Sequence, residues 1–182
     1  MAPSARDQLT REEILGLLTE LGARLSARGV AATVYVVGGA AMALEFDTRR
    51  STRDIDAVLR PEATVAEEAR RMAGDLGLSP GWLSSAATAF VPGGDDDPVP
   101  VDVPGLAVAA ASPRHLLAMK LAAGRPQDLA DLRVLFRHLG IRGAREAADM
   151  AFDVYGEHSS VLGESREDIE LLAQAVLDMS HA

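Results

Sequence analysis

Apolar residues recur at Ile14, Leu17, Leu18, Leu21 and Leu25, the three- and four-residue spacing of one helix face. Thr10 opens this stretch with Glu13 three positions on, a capping box, and Gly29 closes it. The pattern changes at 34–37. There Val34, Tyr35, Val36 and Val37 form an unbroken β-branched and aromatic run, which predicts a buried strand. Gly38 and Gly39 turn the chain, and residues 40–46, AAMALEF, have helical character. At 54–59, DIDAVL alternates acid and apolar residues before running apolar, a strand with Ile55 on its core side. A helix over 64–76 follows, ended by Gly77.

The stretch 82–91 is mixed and predicts a short helix or a loop leading into a strand, with Trp82 in the core. Residues 92–98, PGGDDDP, predict an acidic loop or hairpin tip. Its three aspartates look like a cation site, but nothing rigid holds them, so a plain acidic loop is the better reading. Asp102 sits between apolar residues in VPVDV, although the flanking prolines weaken a regular central strand. Residues 103–111 hold the last strand of the core. From Ser112 the pattern becomes helical. Ser112-Pro113 is a cap with proline at the first helical position. A helix carrying Lys120 ends at Gly124-Arg125-Pro126, a second runs over 126–138, and others cover 145–155 and 165–179. The expected fold is α+β: a small mixed sheet flanked by helices over 1–111, and a helical extension over 112–182.

The absence of cysteine excludes disulfides and thiolate metal sites. No segment has a leader pattern or the apolar length of a membrane span, so a cytoplasmic chain is expected. The net charge of −9 argues against broad, charge-driven nucleic-acid binding. A local basic patch is still available. Arg49, Arg50, Arg53 and Arg60 surround the acidic motif, either to steer a nucleotide or RNA end or to balance Glu45 and Asp47. The chain has seventeen arginines and one lysine, Lys120. A lysine kept against that bias points to a need for a compact ammonium, such as a phosphate contact, or to chance retention.

The candidate chemistry lies in 34–59. Two glycines ahead of a helix N-terminus let backbone amides approach an anion, though many α/β proteins carry such a turn for structural reasons. Asp54 and Asp56 sit two residues apart on one predicted strand face and repel each other unless a cation lies between them. Hard divalent cations such as Mg²⁺ take this oxygen set, completed by substrate phosphates. A solvated strand face is the bland alternative. Asp128 and Asp131 share a helix face, and the helix dipole alone accounts for an acid at Asp128. His115, His138, His158 and His181 have no shared metal-ligand spacing and read as ordinary surface or packing residues.

The sequence VVGG, then residues 40–53, then DID resembles the polymerase-β-like nucleotidyltransferase superfamily. Within it, the TRDID string at 52–56 looks most like the AbiEii/MenT-type toxin nucleotidyltransferases and relatives of unassigned function. LLAMKLAAGRPQDLADLRVL resembles a second motif of the same family, a lysine helix followed by an Arg/Asp-bearing helix. The resemblance spans about 34–135. It implies that Gly38, Gly39, Ser51, Thr52 and Arg53 bind the nucleotide, with Lys120, Arg125 and Asp131 contributing from the second motif. It also implies that Asp54, Asp56 and a third carboxylate, for which Asp102 is the candidate, hold one or two Mg²⁺ ions. Lys120 would contact the triphosphate, and Asp128 or Asp131 would complete the active site or orient its partners.

The implied reaction moves a nucleoside monophosphate from a nucleoside triphosphate to a hydroxyl. The implied acceptor is a tRNA 3′ end, and the chain would be the toxin of a toxin–antitoxin pair with a cognate antitoxin. Two alternatives stand beside it. One is transfer to a small molecule of the aminoglycoside kind. The other is a non-catalytic, fold-retaining regulatory partner, against which the intact Asp54, Asp56 and Lys120 count.

Overall fold

The computed structural model describes residues 8–46, 51–162 and 165–179. Arg49, Arg50, His181, the start of the N-terminal tail and part of the last interhelical loop lie outside them. The described residues divide into two compact units. The first holds the residues up to Ala89 together with Pro98–Ala111. The second holds Phe90–Asp97 and the residues from Ser112 onward.

The first unit runs β1 (Leu9–Thr10), α1 (Arg11–Ala27), β2 (Thr33–Val36), α2 (Gly38–Glu45), β3 (Ser51–Thr52), β4 (Ile55–Arg60), α3 (Glu62–Leu76), β5 (Leu83–Ser84), β6 (Val99–Val101) and β7 (Ala107–Ala110). Five strands form one sheet in the order β5-β4-β2-β7-β6, while β1 and β3 pair as a separate ribbon. Strand β2 runs antiparallel to β4 and parallel to β7, so the sheet is mixed. This is the α+β architecture that the hydrophobic pattern predicts.

Period-two alternation sets the two faces of the sheet. Val34, Val36, Ala57, Leu59, Val108 and Ala110 are buried. Tyr35, Asp56, Val58 and Ala109, in the opposite phase, are only half-buried. The capping box of Thr10 and Glu13 forms as expected, and the face of Ile14, Leu18, Leu21 and Leu25 is fully buried. Pro100 lies in β6 at the sheet edge, where a missing N–H costs no ladder bond. Trp82 is 1% exposed. Its indole Nε1 donates to the Ala69 carbonyl at 2.9 Å, and its own carbonyl accepts from Ile55 N at 2.7 Å. The tryptophan thus joins α3 to the first residue of β4.

The second unit packs α4 (Pro113–Ala123), α5 (Leu129–Leu139), α6 (Ala144–Tyr155) and α7 (Arg166–Asp178). Ser112 caps α4 by accepting from His115 N, and Ser165 with Asp168 makes a capping box on α7. The helix expected over 126–138 begins as a 3₁₀ turn, Pro126–Asp128, and becomes α-helical at Leu129. Leu116, Leu117, Leu121, Leu132, Leu135, Ala148 and Val176 fill the core. Among the described residues no helix is long and apolar enough to cross a membrane.

Candidate active site

The carboxyl end of β2 and the start of β4 meet at one point. Val37 N donates to the Asp56 carbonyl at 2.8 Å, so the glycine turn begins where the DID segment enters the sheet. Gly38 has φ +61°, in the left-handed region that favours glycine. A Cβ placed on it would lie 3.6 Å from Asp56 Oδ2, and one on Gly39 would lie 3.0 Å from Thr52 Oγ1. The two glycines therefore keep backbone, not side chain, against the aspartate and the threonine of the TRDID string. Both glycines are the first residues of α2 itself, two positions earlier than the sequence pattern places the helix. Helix α2 is held from its other end by Arg11, whose Nε donates to the Leu44 carbonyl at 3.1 Å. Burial pushes the neighbouring Glu45 carboxyl up, and Arg11 opposes that shift.

Asp56 is half-buried in β4, and Asp54 is half-buried on the bend just before it, with Ile55 fully buried between them. Asp54 falls outside the strand because β4 pairing starts at Ile55. Ser51 and Thr52 form β3 against β1, and the Ser51 hydroxyl donates to Gln8 Oε1. Arg53 is exposed. Ser84 on β5 is the register partner of Asp56. Nothing in the mixed stretch around it marked that position.

Asp102 does not join this group. Val101 pairs with Val108, and Val108 with Val34, so Asp102 lies beyond the end of β6 at the level of Thr33. Asp56 lies at the level of Val37. Three strand spacings put the two roughly 14 Å apart across the sheet, and four residues put them roughly 13 Å apart along it. Asp102 is exposed at the far end of the sheet and is corrected from metal ligand to surface residue.

The remaining candidates belong to the second unit. Lys120 projects from the last turn of α4, where its Nζ lies 2.7 Å from Asp128 Oδ1 and 2.6 Å from Asp131 Oδ2. Lys120 is 5% exposed, Asp128 4% and Asp131 0%. The other Asp128 oxygen, Oδ2, accepts from Arg125 Nε at 3.0 Å, and the Arg125 guanidinium is exposed. The spacing of the second motif thus brings Lys120, Arg125, Asp128 and Asp131 together. It does not leave the ammonium open to a ligand. A compact cation between two buried carboxylates also accounts for a single lysine in an arginine-rich chain, since a planar guanidinium has a different reach and shape.

A family described as a nucleotidyltransferase of unknown function (DUF6036) matches residues 13–136. The chain belongs to that family. The DUF6036 match runs from α1 to α5 and takes in both the Gly-Gly/DID site and the Lys120 cluster. No curated protein and no solved structure gives a significant match.

The residues present fit a divalent cation of the magnesium kind. Among the described residues no three His, Asp or Glu side chains converge as a self-contained metal centre. Mg²⁺ does not need one, because it binds through one or two carboxylates plus substrate phosphates and keeps several waters. Asp56, whose Oδ2 lies against the half-buried Gly38, and Asp54 two residues before it would supply such a partial oxygen set.

Proposed function

We propose that this DUF6036 protein transfers a nucleoside monophosphate from a nucleoside triphosphate to a hydroxyl acceptor and releases pyrophosphate. The observation that carries the reading is the approach of the Gly38-Gly39 backbone to Asp56 and Thr52. Triphosphate oxygens would lie over Gly38, Gly39 and the start of α2, where backbone N–H groups and the helix dipole favour anions. Asp54 and Asp56 would hold Mg²⁺, which supplies charge stabilisation for the attacking and leaving oxygens when bound. Ser51, Thr52 and Arg53 would fix the loop or contact phosphate. The acceptor hydroxyl loses its proton to solvent and its oxygen bonds to the α-phosphorus as the bond from that phosphorus to the bridging β-phosphate oxygen breaks, so pyrophosphate carries that oxygen away.

In the second motif we assign phosphate contact to Arg125 rather than Lys120. The exposed guanidinium has its η nitrogens available, whereas the lysine is enclosed by Asp128 and Asp131. Lys120 then acts as a positioning residue that fixes Asp128, which in turn orients Arg125.

For the acceptor we propose a tRNA 3′ end, with the chain acting as a toxin countered by an antitoxin. The resemblance of the TRDID string and of the lysine helix to AbiEii/MenT-type toxins supports this. The net charge of −9 favours the competing small-molecule acceptor. The test expresses wild type and Asp56→Ala and sequences cellular tRNA 3′ ends. Extended ends with wild type alone are expected, and identical ends in both remove the tRNA proposal. Labelled nucleotides offered with total tRNA or with an aminoglycoside then show which acceptor takes the label.

A further inference from the structure

Ser84 is the second residue of β5 and the register partner of Asp56. The two strands are parallel, and paired residues project from the same face of a sheet. Burial agrees with the register. Ile55 and Leu83, the pair before, are both buried on the core side, whereas Asp56 and Ser84 are both half-buried on the other. Ser84 Oγ accepts from Ala86 N at 3.2 Å, which ties the residue to its own loop. That bond takes one lone pair and leaves the O–H and a second lone pair. The next hydroxyl is turned elsewhere: Ser85 Oγ donates to Glu62 Oε1 on α3 at 2.7 Å.

Strand β4 lies between β5 and β2, so Asp56 has two flanks. On the β2 flank, Val37 N donates to the Asp56 carbonyl, and a Cβ on Gly38 would lie 3.6 Å from Asp56 Oδ2. On the β5 flank stands Ser84, about 4.8 Å away by strand spacing. The order across the sheet is therefore glycine backbone, carboxylate, hydroxyl.

We propose, resting on the nucleotidyl-transfer reading, that Ser84 is the acceptor-side contact of the site, the hydroxyl that aims the incoming oxygen. An in-line displacement puts the attacking and leaving oxygens on opposite sides of the α-phosphorus. With the triphosphate over Gly38 and Gly39, pyrophosphate departs on the β2 flank. The acceptor then enters on the β5 flank, past Ser84. A serine hydroxyl both donates and accepts, so it can hold one hydroxyl of a polyol and orient the next. That polyol chemistry is shared by an RNA 3′ end and an aminoglycoside. Ser84 does not take the acceptor's proton, which goes to solvent. Being neutral, it also adds nothing to the charge that Asp54 and Asp56 offer a cation.

Two measurements on the full chain test this. The first titrates Mn²⁺ alone, read by electron paramagnetic resonance, and needs no turnover. S84D puts a carboxylate beside Asp56 and is expected to tighten Mn²⁺ at least about tenfold, because the number of charged ligands sets the affinity of an oxygen site. S84A should leave Mn²⁺ binding as in wild type, and S84D combined with Asp56→Ala should lose the gain. The second measures steady-state transfer, with total tRNA and an aminoglycoside offered separately as acceptors. S84A is expected to lower kcat/KM about tenfold for the acceptor that takes the label, as loss of one hydrogen bond to substrate implies, with the nucleotide KM unchanged. S84T keeps the hydroxyl and should recover most of that loss, and thermal melts of both variants check the fold. Mn²⁺ affinity equal in S84D and wild type overturns the placement of Ser84. A defect of S84A that falls on the nucleotide KM, or on neither substrate, overturns the acceptor-side role while leaving nucleotidyl transfer intact. Failure of wild type to label either acceptor sinks the transfer reading, and the acceptor role with it.

Discussion

Replacing Asp56 with asparagine is expected to lower nucleotidyl transfer by at least about a thousandfold, the rate equivalent of about 4 kcal/mol of lost transition-state stabilisation. The side chain keeps its shape, so the contact with the Gly38 backbone survives. What disappears is the charge that would make the position an oxygen ligand for a hard cation. Folding should be spared. Asp56 is only half-buried, and removing one of two neighbouring negative charges relieves repulsion with Asp54. Pyrophosphate release measured with Mg²⁺ and each nucleoside triphosphate reads the loss, and a thermal melt reads the fold. A variant that melts like wild type and still turns over at more than a tenth of its rate contradicts the role given to Asp56.

Lys120→Met acts in the opposite sense, on stability before chemistry. The methionine fills similar space but removes the ammonium that Asp128 and Asp131 share, leaving Asp128 its bond to Arg125. Breaking a buried ion pair by removing one partner costs about 3–5 kcal/mol, because buried negative charge loses the cation it was packed against. For a chain of this size that lowers the melting temperature by on the order of 10 °C. Neutralising one carboxylate as well, in Lys120→Met with Asp131→Asn, recovers part of the loss. A lysine that served chiefly as a phosphate contact would give another pattern: an unchanged melt, with the defect confined to nucleotide binding.

Features that depend on short-range periodicity were legible in the sequence. The alternation of Asp54, Ile55 and Asp56, the run of Val34 to Val37 and the caps at Thr10, Ser112 and Ser165 each follow from neighbours a few residues away. The spacing of Asp128 and Asp131 put both on one helix face, and the resemblance of the second motif implied that one of them completes the site or orients its Lys and Arg partners. Neither foretold the burial of these groups, which depends on how α4 and α5 close around them. Asp102 failed for a related reason. Its local setting, one acid among valines, resembles that of a metal carboxylate, but its place in the sheet is set by the antiparallel register of β6 on β7. Strand register between distant segments is not written in either strand alone. The β1–β3 ribbon is too short to leave any pattern.

Crystals grown with Mn²⁺ and a non-hydrolysable nucleoside triphosphate analogue, read by anomalous scattering, test the central claim most directly. The account predicts a metal peak held by the Asp54 and Asp56 carboxylates, with triphosphate oxygens against Gly38 and Gly39. A triphosphate seated elsewhere, or a metal that ignores both aspartates, would contradict it.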